Sequence, residues 1–163
     1  MLPTDLTVAA VVPRDGRFLV VEERVSGALV ITQPGGHIEA NESPEAAVVR
    51  ETLEETGCLV EVESLLGVYL WIHPQSRQQF LRIVYVANLL SESRSRPLED
   101  GVHAVHWYSP DDLRRRRPSL RSPVVIRCVD DYLAGVRQPT DLLAPLMPVQ
   151  QNVDAVIASA CLV

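Results

Sequence analysis

Residues 35–57 read GGHIEANESPEAAVVRETLEETG, and this stretch decides both the fold and the chemistry. It sets four carboxylates, Glu42, Glu51, Glu54 and Glu55, at fixed offsets behind a paired-glycine turn. Ser43 followed by Pro44 is a capping residue and a first-turn proline, and Glu45 adds an acid to the first turn. The pattern predicts a helix running to about Thr56, with Gly57 as its C-terminal stop. At roughly 100° per residue, Ala46, Val49 and Leu53 share one face, and Glu51, Glu54 and Glu55 lie nearly opposite. Like charges this close destabilise a helix unless a cation sits among them. A hard divalent ion such as Mg²⁺ takes oxygen ligands and is commonly completed by phosphate oxygens. Acidic helix faces are ordinarily just solvated. The glycine pair and Arg50 turn this one toward metal-dependent phosphate chemistry.

Outward from the helix, residues 6–12 and 17–22 are β-rich and flank the turn signal PRDG at 13–16. They are expected to pair as a hairpin. Residues 28–32 form a short third strand leading into Pro34 and the glycines. Strand signals follow at 60–63, 66–72, 79–89 and 102–108, with a polar loop at 91–100. Short and long helices are expected at 111–116 and 124–134. This order implies an α/β fold, a mixed β-sheet sandwiched between helices as an α/β/α sandwich. One domain over residues 1–140 is expected, with 141–163 as a C-terminal extension, docked or disordered.

The chain has 163 residues and a net charge of −6, which suits one domain and disfavours a broad nucleic-acid surface. The one basic cluster, residues 114–117, reads as a helix end with its bases near the negative pole. Cys58, Cys128 and Cys161 show neither metal-ligand spacing nor a CxxC, which implies a reducing compartment. The N-terminus has an acid and no basic leader, and no apolar run reaches about 18 residues. No signal peptide, membrane or nucleic-acid partner is expected, and the cytoplasmic compartment is the default.

The segment from Gly36 to Cys58 resembles the Nudix box, the signature of the Nudix hydrolases. Gly36, Glu42, Arg50, Glu51, Glu54, Glu55 and Gly57 stand at its positions. Thr52, where the box has an aliphatic residue, is a mild departure. The flanking runs at 7–23, 33–37, 69–74, 80–89 and 120–125 resemble a bacterial subgroup of Nudix phosphatases. That subgroup acts on thiamine-pathway pyrimidine diphosphate and on nucleoside di- and triphosphates.

The resemblance implies that Glu54 and Glu55 ligate Mg²⁺ (or Mn²⁺). It also implies that Glu51 orients or deprotonates the attacking water, or binds metal itself. The Gly35 carbonyl is a further ligand by resemblance. Arg50 is expected to hold the glutamates in place, and Gly36, Glu42 and Gly57 to support the loop and helix. The resemblance further implies a carboxylate from a later loop, for which Glu99 and Asp100 are equal candidates as base or metal contact; a plain polar loop is the other reading. Arg82 is a charge on an otherwise apolar strand and needs a partner, either a substrate phosphate or the glutamates. Trp71 and Tyr69 share one side of their strand, where a substrate ring can stack. His37 and Gln33, beside the glycine turn, complete the expected substrate contacts.

The expected activity is divalent-metal-dependent hydrolysis of phosphoanhydride bonds, releasing phosphate, on a small-molecule diphosphate or triphosphate. The expected state is a monomer or homodimer. Two alternatives differ in class. One is a pyrophosphohydrolase of nucleoside-diphosphate conjugates (ADP-ribose, sugar nucleotides) or oxidised nucleotides. The other is a non-enzymatic Nudix-fold ligand sensor, against which the intact glutamates argue.

Overall fold

A computed structural model describes residues 3–93, 95, 98–144 and 157. The strands are β1 (Thr4–Val11), β2 (Pro13–Arg14), β3 (Arg17–Val25), β4 (Ala28–Thr32), β5 (Cys58–Ile72), β6 (Gln79–Glu92) and β7 (Val102–Tyr108). The helices are α1 (Pro44–Thr56), α2 (Pro110–Arg115) and α3 (Val124–Leu133). The strands form a mixed sheet in the order β1-β6-β5 and an antiparallel sheet in which β3 pairs with β2, β4 and β7.

β1 carries apolar residues on both of its faces, and the two faces meet different helices. Val8, Ala10 and Val12 pack with Ala47, Val48, Val49 and Leu53 of α1. Ala9 and Val11 pack with Val124, Cys128 and Val129 of α3. Alternation along a doubly buried strand thus produces the layered α/β/α arrangement.

The expected hairpin between residues 6–12 and 17–22 is corrected by this topology. β1 pairs parallel with β6, and only the two-residue β2 pairs antiparallel with β3. Asp15 and Gly16, both at positive φ, close that short hairpin. The physical reason is burial: Val8 to Val12 are at most 1% exposed, which demands a strand covered on both faces rather than one arm of an exposed hairpin. The strand signals at 60–63 and 66–72 likewise merge into one 15-residue strand, β5. Its register against β6 shifts between Leu59 and Val60, between Val62 and Ser64 and between Leu65 and Gly67.

α1 follows its sequence signals. The Ser43 hydroxyl accepts from Ala46 N, and Gly57 caps the C-terminus at φ 70° with its N–H donated to Leu53 O. Thr52 is fully buried, so the box's apolar position is kept dry by turning the hydroxyl onto Val48 O at 2.7 Å. Arg114 to Arg116 make surface ion pairs with Asp111, Asp112 and Asp130. Among the described residues, no helix is long and apolar enough to cross a membrane. Most of 141–163, including Cys161, lies outside the described residues; Leu143 and Ile157 pack against the core.

Leu19 sits in the α1-side core with no exposure. Leu19→Ala is expected to cost about 2–5 kcal/mol in urea unfolding, whereas exposed Leu133→Ala should stay within about 0.5 kcal/mol. A loss at Leu19 no larger than at Leu133 would contradict this core.

Candidate active site

The site is built where the loop before α1 meets the acidic face of that helix. Pro34 O and Gly36 O accept from Ala10 N and Val8 N, so this loop runs as an extra rung against β1. Alternation then turns the Gly35 carbonyl away from β1, while the Gly35 N–H donates to the Glu55 carboxylate at 2.8 Å. Neither glycine has room for a side chain. A Cβ at Gly35 would meet Val8 O at 2.1 Å, and one at Gly36 would meet the Glu51 carboxylate at 2.6 Å.

Arg50 organises the glutamates. Its Nε donates to Glu42 at 2.7 Å, and Nη2 donates to Glu42 and to His37 O. Nη1 donates to both Glu51 and Glu54 at 2.9 Å. Glu42 is 2% exposed and also accepts from Glu39 N. Burial alone would raise its carboxyl, but the Arg50 hydrogen bond, the Glu39 N–H and the Arg50 charge together bring it below the ordinary range. In turn the hydrogen bond to Glu42, opposed by burial and reinforced by Glu51, raises Arg50 further.

Glu51, Glu55 and Glu99 each offer a carboxylate oxygen, all within 4.8 Å of one another. Glu55 is buried and, among the described residues, has one N–H for a partner. Desolvation, opposed by the Gly35 N–H and augmented by the charges of Glu23, Glu51 and Glu99, pushes its carboxyl up to about 8. Burial also raises Glu51, against the pull of Arg50. Three converging oxygens that are costly to ionise together form a donor set matched to a hard divalent cation, which would supply the missing positive charge. Glu54 is outside this trio, on the solvent side of Arg50 with 38% of its side chain exposed.

A cavity of about 490 Å³ opens on the trio. Of the residues singled out by sequence, it is lined by Gly35, Gly36, His37, Glu51, Glu55, Trp71, Arg82, Glu99 and Asp100. Two of the expected substrate contacts lie apart from it. Gln33 is 2% exposed and donates to Val125 O, bracing the loop against α3. Tyr69 donates its hydroxyl to Asp131 at 2.8 Å and packs against the α3-side core, so alternation with Trp71 did not bring it to the cavity. Trp71 instead stacks on Phe80, with ring centroids 5.5 Å apart. A second cavity of about 690 Å³ shares Trp71, Arg121 and Ser122 with the first.

Sequence reasoning missed Glu23, Arg24, Phe80 and Arg121, all on the cavity wall. Glu23 and Arg121 form an ion pair between β3 and the loop before α3. Nothing local marks either residue. The isolated bridge between Ile31 and Leu120 and the hydrogen bond from Arg121 N to Ile31 O, contacts across the chain, bring them together.

The Glu55 shift sets the pH dependence of the cation-free protein. The folded chain keeps a proton up to about pH 8 that an ordinary carboxyl near 4.5 gives up earlier. The folded state therefore binds more protons across this window, and stability falls as pH rises through it. Glu51 is shifted in the same direction and adds to the slope, while Glu42, shifted downward, titrates below the window. In chelator, Tm is expected to drop between about pH 5 and about pH 8, and Glu55→Gln should flatten the drop. A Tm that climbs over this range would refute the burial assigned to Glu55.

Residues 3–127 match the family model for the NUDIX domain. Proteins named "Phosphatase NudJ" from Escherichia coli and Shigella sonnei are 33% identical over 143 residues, covering 88% of this chain and 92% of theirs. The solved Nudix hydrolase of Nitrosomonas europaea superposes with a TM-score of 0.86 at 36% identity, covering 90% of this chain and all of that one. A MutT Nudix hydrolase from Burkholderia pseudomallei gives a TM-score of 0.67 at 29% identity, over 79% and 98% of the two chains. With its glycine turn, Arg50-held glutamates and carboxylate trio in place, the chain belongs to the Nudix family and is a hydrolase of phosphoanhydride bonds.

Proposed function

We propose that this chain is a Mg²⁺-dependent phosphatase of nucleoside di- and triphosphates and of hydroxymethylpyrimidine diphosphate, releasing phosphate. The observation that carries the reading is the convergence of Glu51, Glu55 and Glu99 at the floor of a cavity also lined by Arg82, Trp71 and Phe80. The 33% identity to phosphatases across 88% of the chain supports the choice of substrate class.

Glu51, Glu55 and Glu99 would hold the cation, with the Gly35 carbonyl and Glu54 as further candidate ligands and Asp100 beside them. When bound, the ion would polarise the diphosphate oxygens and lower the pKa of a coordinated water. The chain's own residues do the rest. Arg50 fixes the glutamates through hydrogen bonds to Glu51 and Glu54. Glu51 or Glu99 takes or steers the proton of the attacking water. Arg82 accepts the substrate's negative charge, Trp71 offers a ring face beside Phe80, and His37 stands at the exposed rim. The pocket, not the glutamates, decides which phosphorus lies in line with water.

Activity is expected to vanish in EDTA and return with Mg²⁺. Glu55→Gln should lose about 100-fold or more in kcat while the protein stays folded, since it removes charge stabilisation at the reacting phosphate. Glu54→Gln, altered outside the trio, should lose less. Full turnover in excess chelator would remove the metal from the reading, and near-normal kcat in Glu55→Gln would remove that residue.

Product identity tests the substrate class separately. GTP is expected to yield GDP and phosphate first, and GDP and hydroxymethylpyrimidine diphosphate to turn over better than ADP-ribose. Phosphorus NMR on this panel decides it. Pyrophosphate as the sole phosphate product from GTP, or a preference for ADP-ribose, would overturn the phosphatase reading and leave the family untouched.

A further inference from the structure

Besides its carboxylates, the catalytic cavity is walled by three guanidiniums, Arg24, Arg82 and Arg121. Their partners are unequal. Arg24 donates to Gly27 O at 3.2 Å near the rim. Arg121 is held by Glu23, and both are partly solvated, at 36% and 18% side-chain exposure. Arg82 makes only two long hydrogen bonds among the described residues, from Nη2 to Thr32 Oγ1 at 3.3 Å and to Gln33 O at 3.2 Å. Its Nε is buried with no partner among the described residues. Burial first, then the neighbouring Arg121 charge, pull Arg82 below its ordinary range. Two guanidiniums that repel each other thus share a wall on which Glu23 pairs with just one of them.

A half-buried guanidinium whose Nε is buried with an unused donor calls for an anion. Phosphoryl oxygens suit it well, because the planar fork donates two parallel N–H bonds to them. The Arg121 backbone is already anchored, its N–H donated to Ile31 O at 2.9 Å, so only the side chain needs to change partners.

We propose that Arg82 and Arg121 form one subsite for a phosphoryl group of the substrate, with Glu23 as the resident counter-ion that the phosphoryl oxygens displace from Arg121. Only the identity of the anion, a diphosphate, rests on the function proposed above. Glu23 competes for Arg121, so it holds down affinity for any phosphate that reaches the cavity. The competition speeds product release at some cost in substrate binding.

The test is direct calorimetric binding of methylenediphosphonate, a hydrolysis-resistant diphosphate, with Mg²⁺ present. Arg121→Ala is expected to raise Kd about tenfold or more, as for a lost charge-assisted bidentate contact, and Arg121→Lys to recover part of it. Glu23→Gln is expected to move the other way and tighten binding several-fold, because it frees Arg121 without removing it. An ion pair that merely braces β3 against the α3 loop predicts that all three variants weaken binding. Weakening by Glu23→Gln, or an unchanged Kd in Arg121→Ala, therefore overturns the subsite. Hydrolysis is assayed apart. If the binding shifts occur but Mg²⁺-dependent turnover is absent, the phosphatase reading falls and the anion subsite stands.

Discussion

The structure of the site depends on one guanidinium. All of the N–H donors of Arg50 are committed: Nε and one Nη2 bond to Glu42, the other Nη2 bond to His37 O, and both Nη1 bonds to Glu51 and Glu54. Burying a carboxylate such as Glu42 is costly unless it is paired and hydrogen-bonded, and Arg50 does both. One side chain thereby ties the glycine loop, the approach to α1 and two glutamates of its acidic face into a single rigid unit. A residue with every donor spent has nothing left for a ligand, so Arg50 positions the chemistry rather than touching it. Lysine at this position would keep the charge but offer three donors from a point, and could not span the same four partners.

Much of the site was legible in sequence because its information is local. Ser43, Pro44, the apolar stripe and Gly57 define α1 through short-range capping and periodicity, and the glutamate spacing follows from the same helix. Glu99 and Asp100 were equivalent in sequence; the fold brings a Glu99 oxygen to Glu51 and Glu55 and leaves Asp100 on the lining. What stayed hidden depends on contacts between distant segments. The partner of β1 is set by burial on both of its faces, which a turn signal at PRDG masks. Tyr69 and Trp71 share a side of β5 by alternation, yet α3 claims Tyr69 through Asp131 while Trp71 reaches Phe80 and the cavity. The Glu23–Arg121 pair spans most of the chain and leaves no periodic trace.

The two charged walls of the cavity divide the electrostatic work. Burial and the neighbouring carboxylates disfavour ionisation of Glu51 and Glu55, a state that favours uptake of positive charge. Arg82 and Arg121 are crowded in the opposite sense. A cation together with a polyanion relieves both kinds of crowding at once, whereas either alone relieves one. Under the proposed function, such coupling would make the two bind cooperatively through charge balance, with no movement of the fold required.

The hydrogen bond from Gly35 N–H to the Glu55 carboxylate has a spectroscopic consequence. An amide proton's resonance responds to the charge of the group it faces, so Gly35 reports on one specific carboxylate. Titrating pH shifts that single peak as Glu55 ionises, and a divalent ion held by the carboxylate would shift it again. One glycine resonance in a nitrogen–proton correlation spectrum therefore follows the protonation of Glu55 and would follow occupancy of the site by a cation, with no reporter group added to the cavity.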